Sequence, residues 1–286
     1  MLAGQRQSAI LELVRRHGGV RVSDLVREFN VSDMTIRRDL EALDQRGLLS
    51  KVHGGATTLA PGSTDEPGFA AKSMRQQAEK QAIARHAASL VSPGTAIALS
   101  AGTTTWSLAH QLLDVAGLTV VTNSVPVAEV FYHNGRTDQT VVLTGGIRTP
   151  SDALVGPFAV TAIRSLNLDQ LFLGVHGISA RSGFTTPNLM EAETDRALVA
   201  AARRLVVLAD HTKWETVGIS TIAALDDADV LVTDDGLDGA AREALTGRVG
   251  ELVVAPAGRA NTDTGADTDP GAGTEDEPLT AERDAQ

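Results

Sequence analysis

Between residues 96 and 255 the chain repeats one pattern seven times: a short run of apolar, often β-branched residues that ends in a turn. The runs are Ala96–Leu99, Leu118–Thr122, Val141–Thr144, Leu171–Val175, Leu205–Ala209, Val230–Thr233 and Leu252–Ala255. Most are separated by Ala/Leu-rich stretches of helical spacing, at Gln76–Val91, Thr104–Leu113, Val125–Tyr132, Leu189–Arg203 and Gly239–Leu245. Strands apolar on both faces that alternate with helices predict a mostly parallel sheet covered on both sides. Ligands of such sheets sit beyond the carboxyl ends of the strands, so the residues just after each run carry the chemistry.

The rest of the chain is of a different kind. At 286 residues it is too long for one ordinary domain, and its 42% hydrophobic content excludes wholesale disorder. There is no cysteine, which removes disulfides, thiolate nucleophiles and Cys-based metal sites, and no metal or cofactor is expected. No apolar run is long enough to span a membrane and the first residues lack a signal-peptide stretch, so the expected location is cytoplasmic. Net charge is −11, which taken whole argues against a nucleic-acid binder. Divided along the chain it says something else. Residues 1–60 hold 9 Lys/Arg against 7 Asp/Glu, net +2; residues 61–256 hold 14 against 21, net −7; residues 257–286 hold 2 against 8, net −6. The expected division is a head at 1–57, a Pro/Gly/Ser-rich linker at 58–71, an α/β body at 72–256 and a disordered acidic tail at 257–286.

In the head, Ile10, Leu11, Leu13 and Val14 mark an amphipathic helix that Gly18-Gly19 ends. Ser23 is placed to cap a short helix, Asp24–Phe29, with Asn30-Val31 as the turn. Ser32 is placed to cap a longer one from Asp33 to about Arg46, stopped by Gly47. A short helix, a tight turn and a longer capped helix form the helix-turn-helix pattern. Ile36, Leu40 and Leu43 share the core face, which leaves Met34, Thr35 and Arg38 on the opposite side for base contact and Arg37 for a phosphate. Leu48–Val52 and His53-Gly54-Gly55-Ala56 read as a strand and turn, a wing that lays Lys51 and His53 along the DNA backbone. The other reading of these residues is a helical oligomerisation unit with a solvated basic face. The run Thr35-Ile36-Arg37-Arg38-Asp39-Leu40 and the ending His53-Gly54-Gly55-Ala56 closely resemble the N-terminal domain of the DeoR family of bacterial transcription regulators. That resemblance implies a small α+β winged helix-turn-helix domain bound to double-stranded DNA at Ser32, Met34, Thr35, Arg37, Arg38, Lys51 and His53.

In the body, the first run leads into Gly102-Thr103-Thr104-Thr105 and a helix. Exposed amides at a helix start, the helix dipole and three hydroxyls make a phosphate cradle; the same residues also suit a plain Thr-capped turn. There is no Walker lysine and no G-x-G-x-x-G spacing, so nucleotide binding is not supported. Asn123 after the second run suits a sugar hydroxyl, with ordinary capping as the alternative for its turn. Gly145-Gly146 after the third permits close backbone approach. A lone His176 after the fourth reads as structural, and Lys213 after the fifth suits a phosphate dianion, with a plain surface lysine as the reading of that position taken alone. Together with Phe172-Leu173-Gly174, Gly177 and Gly183-Phe184-Thr185, these loops resemble the DeoR-type sensor domain. That resemblance implies an α/β fold related to ribose-5-phosphate isomerases and CoA transferases, a phosphorylated sugar effector, homo-oligomeric assembly and no turnover. In many members an acidic residue precedes the Gly-Thr-Thr loop; Leu99-Ser100-Ala101 departs from that.

The expected function is therefore a DNA-binding transcriptional regulator, a repressor of carbohydrate genes under control of a sugar phosphate bound at Gly102, Thr103, Thr104, Thr105, Asn123, Gly145, Gly146 and Lys213. The alternative is a sugar-phosphate isomerase-like enzyme with an appended DNA-binding head, whose carboxylate base would be Glu191 or Glu193.

Overall fold

The computed structural model describes residues 2–46, 48–52, 54–57, 64, 66 and 68–258, with the backbone alone at 15–17. Gly47, His53, most of the linker and residues 259–286 of the expected tail lie outside the described residues.

The head runs α1 (Ala3–His17), β1 (Gly19–Arg21), α2 (Val22–Phe29), α3 (Asp33–Gln45), β2 (Ser50–Val52) and β3 (Gly55–Thr57). Gly18 ends α1 at φ 76°, the left-handed cap conformation that costs glycine least. Asn30 makes the turn between α2 and α3 at φ 49°. One expectation fails locally: α2 starts two residues early, at Val22, with no side-chain cap, and the Ser23 hydroxyl bonds Asp24 instead. Ser32 does cap α3, its side chain accepting from the Thr35 amide at 3.3 Å. The wing differs too. Gly55 and Ala56 belong to β3 rather than to a turn, and β3 is central in a three-stranded sheet of order β1-β3-β2. A Cβ on Gly55 would lie 2.1 Å from the Val20 carbonyl oxygen, so only glycine lets β3 pack this closely on β1. Ile10, Val14, Leu25, Ile36, Leu40, Leu43 and Leu49 form the core, each at most 1% exposed. A buried ion pair, Arg6 Nε to Asp39 Oδ2 at 2.6 Å, pins α1 to α3.

The remainder begins with α4 (Phe69–Ser73), across the end of the expected linker, and α5 (Gln77–Ala88). Then follow β4 (Ala96–Leu99), α6 (Thr103–Gln111), β5 (Thr119–Thr122), α7 (Val125–Asn134), β6 (Thr140–Leu143), β7 (Ile147–Arg148), β8 (Leu154–Val155) and α8 (Pro157–Arg164). The chain continues through β9 (Gln170–Gly174), β10 (Gly177–Ser179), β11 (Gly183–Thr186), α9 (Leu189–Ala201), β12 (Leu205–Leu208), β13 (Ser220–Ala223), β14 (Val230–Asp234), α10 (Gly239–Leu245) and β15 (Glu251–Ala255).

All seven apolar runs lie in one parallel sheet of order β15-β14-β12-β9-β4-β5-β6. Along β9, Leu171 and Leu173 pack in one core while Phe172 packs in the other. Helices α5, α6 and α7 cover the Phe172 face; α8, α9 and α10 cover the opposite face. Each buried Leu, Val or Phe contributes roughly 1.5–3 kcal/mol of transfer free energy, so two full cores explain the near-continuous apolar strands. A second sheet, β10-β11-β13, is antiparallel and was not foreseen. The parallel order has one switch point: β5 and β6 extend to one side of β4, and β9, β12, β14 and β15 to the other. Ligands are expected at that switch, where the loops after β4 and β9 diverge.

Candidate functional site

In the head, α3 presents the surface that the sequence predicts. Met34 is 61% exposed and Arg38 is exposed, opposite the buried Ile36, Leu40 and Leu43. Thr35 is half-buried, with Oγ1 2.8 Å from Ser32 Oγ, so both hydroxyls are engaged in the cap. The cations then divide. Arg37 is held by Asp33 one turn back on α3, which raises its pKa further, and Lys51 is held by Glu41. Arg38 makes no hydrogen bond or ion pair to any described residue and is the cation most ready for a base edge. Arg37 and Lys51 must leave a carboxylate before they reach a phosphate. His53 lies outside the described residues.

At the switch point, Ser100 follows β4 and Gly174 ends β9. The fully buried Ser100 hydroxyl accepts from the Gly174 amide at 2.9 Å and joins the two strand ends. This is the position where the sequence departs from the family pattern, and it serves the backbone. A Cβ on Gly102 would meet Thr105 Oγ1 at 3.4 Å and Gly174 Cα at 3.9 Å, within the gap between those ends. Thr103 and Thr104 stand in the first turn of α6, and their hydroxyls bond no described residue.

Two expected ligands also support the loop. Thr105 is fully buried, and its hydroxyl lies 2.7 Å from the Ser100 carbonyl oxygen and 2.9 Å from that of Gly102. Asn123 is 1% exposed; its Oδ1 accepts from the Ala101 amide at 2.9 Å and its Nδ2 donates to the Leu154 carbonyl at 3.3 Å. Both shape the loop with the very atoms a ligand would need. Gly146 is required by the β7–β8 hairpin: at φ 127°, a Cβ there would lie 2.5 Å from the Val155 carbonyl oxygen. Gly145, at φ 73°, makes the turn before it.

Cations gather instead around Lys213. This lysine sits half-buried in a 3-10 turn, His211–Lys213, capped by the buried Asp210, whose Oδ1 accepts from the Thr212 amide at 3.1 Å. Asp234 fixes the same turn from β14, accepting from the His211 amide and contacting His211 Nδ1, each at 2.7 Å. Near Lys213 the fold brings Lys72 from α4 and Lys80 from α5, which the sequence reading missed. Lys80 is 5% exposed and donates to the Lys72 and Arg75 carbonyls, both at 2.5 Å, fixing the α4–α5 corner. Burial pulls its pKa down to about 8, against the field of Asp210 and helped by Lys213, Arg75 and Lys72. Lys72 donates to Ser151 Oγ at 2.8 Å; burial lowers its pKa too, with Lys213 again adding to the shift. None of the three lysines has a carboxylate within ion-pair distance among the described residues. The α6 helix start is tied to the same place, since Phe69 of α4 packs edge-on to Trp106 with ring centroids 6.1 Å apart. No spacing rule links residues 72, 80 and 213, so only the tertiary fold reveals the cluster.

Carboxyl groups line the other side. Glu191 accepts from Thr149 Oγ1 at 2.6 Å and Thr186 Oγ1 at 3.3 Å. Burial pushes it above the usual carboxylate range and neighbouring Glu66 adds to that, against Thr149 and Lys72. Asp195, one turn further along α9 and buried, is pushed up by burial and then by Glu191. Glu193 is exposed, so of the two carboxylates expected to open α9 only Glu191 belongs to the site.

Comparison with known proteins is decisive at the level of family. The DeoR-like helix-turn-helix domain model matches residues 6–61, and the DeoR C-terminal sensor domain model matches residues 75–235. The chain belongs to the DeoR family. It is 38% identical over 257 residues to the uncharacterized HTH-type transcriptional regulator YgbI of Escherichia coli K12, covering 89% of this chain and 99% of that protein. With the HTH-type transcriptional regulator GolR of Listeria innocua it shares 35% over 243 residues, 84% of this chain and 94% of that one. With a putative aga operon transcriptional repressor of Escherichia coli O157:H7 it shares 30% over 252 residues, 87% and 93% of the two chains. Ribose 5-phosphate isomerase A of Neisseria gonorrhoeae matches 48% of this DeoR-family chain and 53% of its own at 15% identity and a TM-score of 0.35, too slight a likeness to bear on function. No described helix is long and apolar enough to cross a membrane, and no described group of side chains is arranged to hold a metal ion.

Proposed function

We propose that this chain is a sequence-specific DNA-binding transcriptional regulator, a repressor of carbohydrate genes, whose operator affinity is set by a phosphorylated sugar. The observation that carries this reading is the gathering of Lys72, Lys80 and Lys213 from separate segments without a carboxylate in ion-pair contact. Like charges desolvated together are costly. An anion of charge near −2 relieves that cost, and a sugar phosphate brings both the charge and the hydroxyls that Asp210 and Glu191 can accept from. The free amides and hydroxyls of Thr103 and Thr104 at the start of α6 suit the remaining phosphate oxygens. On DNA, Arg38, Met34 and Thr35 read bases while Ser32, Arg37 and Lys51 serve the backbone. A second copy supplies the second half-site, about one helical turn away, so a modest change in head placement weakens binding strongly.

Support also comes from the relatives, whose names are those of transcriptional regulators and repressors. The test is a thermal-shift screen of sugar phosphates and their parent sugars, since a true effector stabilises the protein by mass action. Stabilisation by a phosphorylated sugar, lost in Lys213→Ala, supports the reading; equal stabilisation by the parent sugar contradicts it. Isomerisation of the stabilising sugar phosphate by the purified protein would favour the enzymatic alternative, with Glu191 as the base.

A further inference from the structure

Glu66 lies between the two parts of the chain, nine residues beyond Thr57, where the last strand of the head ends. Yet its side chain is docked on the lysine site. Oε1 accepts from Ser151 Oγ at 3.1 Å, and Ser151 Oγ in turn accepts from Lys72 Nζ at 2.8 Å. Oε2 accepts from Asn188 Nδ2 at 3.0 Å, across 122 residues of chain. Glu66 therefore reaches the Lys72 ammonium through a single hydroxyl, and the charges of Glu66 and Lys72 feel each other. The Glu66 charge is also among the influences that hold the Glu191 carboxyl above the usual carboxylate range, after burial.

We propose that Glu66 is a built-in competitor of the effector: its carboxylate occupies the Ser151–Lys72–Asn188 corner that an incoming phosphate claims, and the phosphate displaces it. The inference rests on the lysine site being an anion site. Two considerations argue for competition rather than for a permanent strut. A phosphate dianion and a carboxylate cannot share Lys72 without strong repulsion at this burial. A second anchor stands just behind it, with the Phe69 amide donating to the Pro150 carbonyl at 3.1 Å, so α4 stays in place when Glu66 leaves.

Displacement has a geometric consequence. While Glu66 is docked, nine residues tether the head, a reach of at most about 30 Å; with the anchor moved back to Phe69, twelve residues reach about 40 Å. That gain of about 10 Å is about a third of the half-site spacing of about 34 Å that paired heads must match. The effector thus loosens the leash by removing one carboxylate.

The test uses the full-length protein, inorganic phosphate as the probe, and the fluorescence of Trp106 and Trp214, which border the site. Hydrogen–deuterium exchange across residues 64–72 is measured in parallel. Phosphate is expected to bind the wild type and to raise exchange over this segment. Glu66→Gln is expected to bind phosphate about three- to tenfold more tightly and to exchange rapidly before phosphate is added. Ser151→Ala removes the hydroxyl that relays Lys72 to Glu66 and is expected to show the same fast exchange, which guards against a folding defect peculiar to one variant. If Lys213→Ala abolishes phosphate binding but Glu66→Gln leaves affinity unchanged or weaker, Glu66 is a strut or a co-ligand and the competitor is overturned alone. If phosphate binds neither wild type nor variants, the anion site and the competitor fail together.

Discussion

The head and the sensor site both carry cations, but they keep them in opposite states. On α3 and the wing, Arg37 is held by Asp33 and Lys51 by Glu41, each pair solvent-exposed and worth little. Around Lys213, three lysines lie near enough to feel one another's charge with no carboxylate at ion-pair distance among the described residues, and Lys72 and Lys80 have their pKa values lowered by burial and by Lys213. Exposed, paired cations are a reserve that a polyanion recruits at small gain. Buried like charges are a standing demand for an anion. On the proposed function, a chain of net charge −11 would read DNA through few contacts and take a small phosphate at the lysine cluster.

The comparison breaks most visibly at Lys213. Lys213→Ala is expected to abolish the effector response, with operator binding in its absence unchanged; a gel shift with and without the sugar phosphate checks this, and a normal response would remove Lys213 from the site. Next in size is Arg38→Ala, expected to cost roughly 1–3 kcal/mol at one operator position and to relax preference there. Arg37→Ala should cost less and do so uniformly across sequences, because Asp33 already holds that guanidinium. Equal, sequence-independent losses in both variants would show that α3 is not oriented as described. A smaller effect is expected from Glu41→Ala, which frees Lys51 and strengthens operator binding less than about tenfold at low salt. The slope of log affinity against log salt should correspond to only a few phosphates per head, at about 0.9 per phosphate.

The last prediction concerns stability. Asp195 is buried and pushed well above the usual carboxylate range, so the folded protein holds a proton that the unfolded chain releases. Stability from this group is therefore full below the ordinary carboxylate value and falls as pH rises toward the raised one. Asp195→Asn removes that fall. Its melting temperature should decline less than the wild type's between pH 5 and pH 8, and identical declines would place the proton elsewhere.

Much of this molecule was legible in its sequence, for reasons that differ by region. Strands buried on both faces must be apolar throughout, so all seven runs stood out and all seven are strands. Strands β10, β11 and β13 left no such mark: Gly177–Ser179 and Gly183–Thr186 are short, begin with glycine and mix polar with apolar residues. Helix α3 announced itself through the Ser32 cap and the 36–40–43 face, whereas α2 started without a side-chain cap and Ser23 misled. For the sensor, strand-end position picked out Lys213, Thr105 and Asn123, because the rule concerns loops that follow strands. The polar atoms of Thr105 and Asn123 bond backbone groups, which no strand-end rule foretells. Lys72 and Lys80 precede the first strand and obey no such rule; α4 places one, and the burial of α5 against the sheet places the other.

The central claim is that one chain couples a phosphate-binding sensor to a DNA-reading head. The most direct measurement is fluorescence anisotropy of an operator duplex titrated with full-length protein, with and without a sugar phosphate that raises the melting temperature. A shift in operator affinity of at least about tenfold, about 1.4 kcal/mol, that the unphosphorylated sugar does not reproduce is the predicted result. A sugar phosphate that stabilises the protein yet leaves operator affinity unchanged would contradict it.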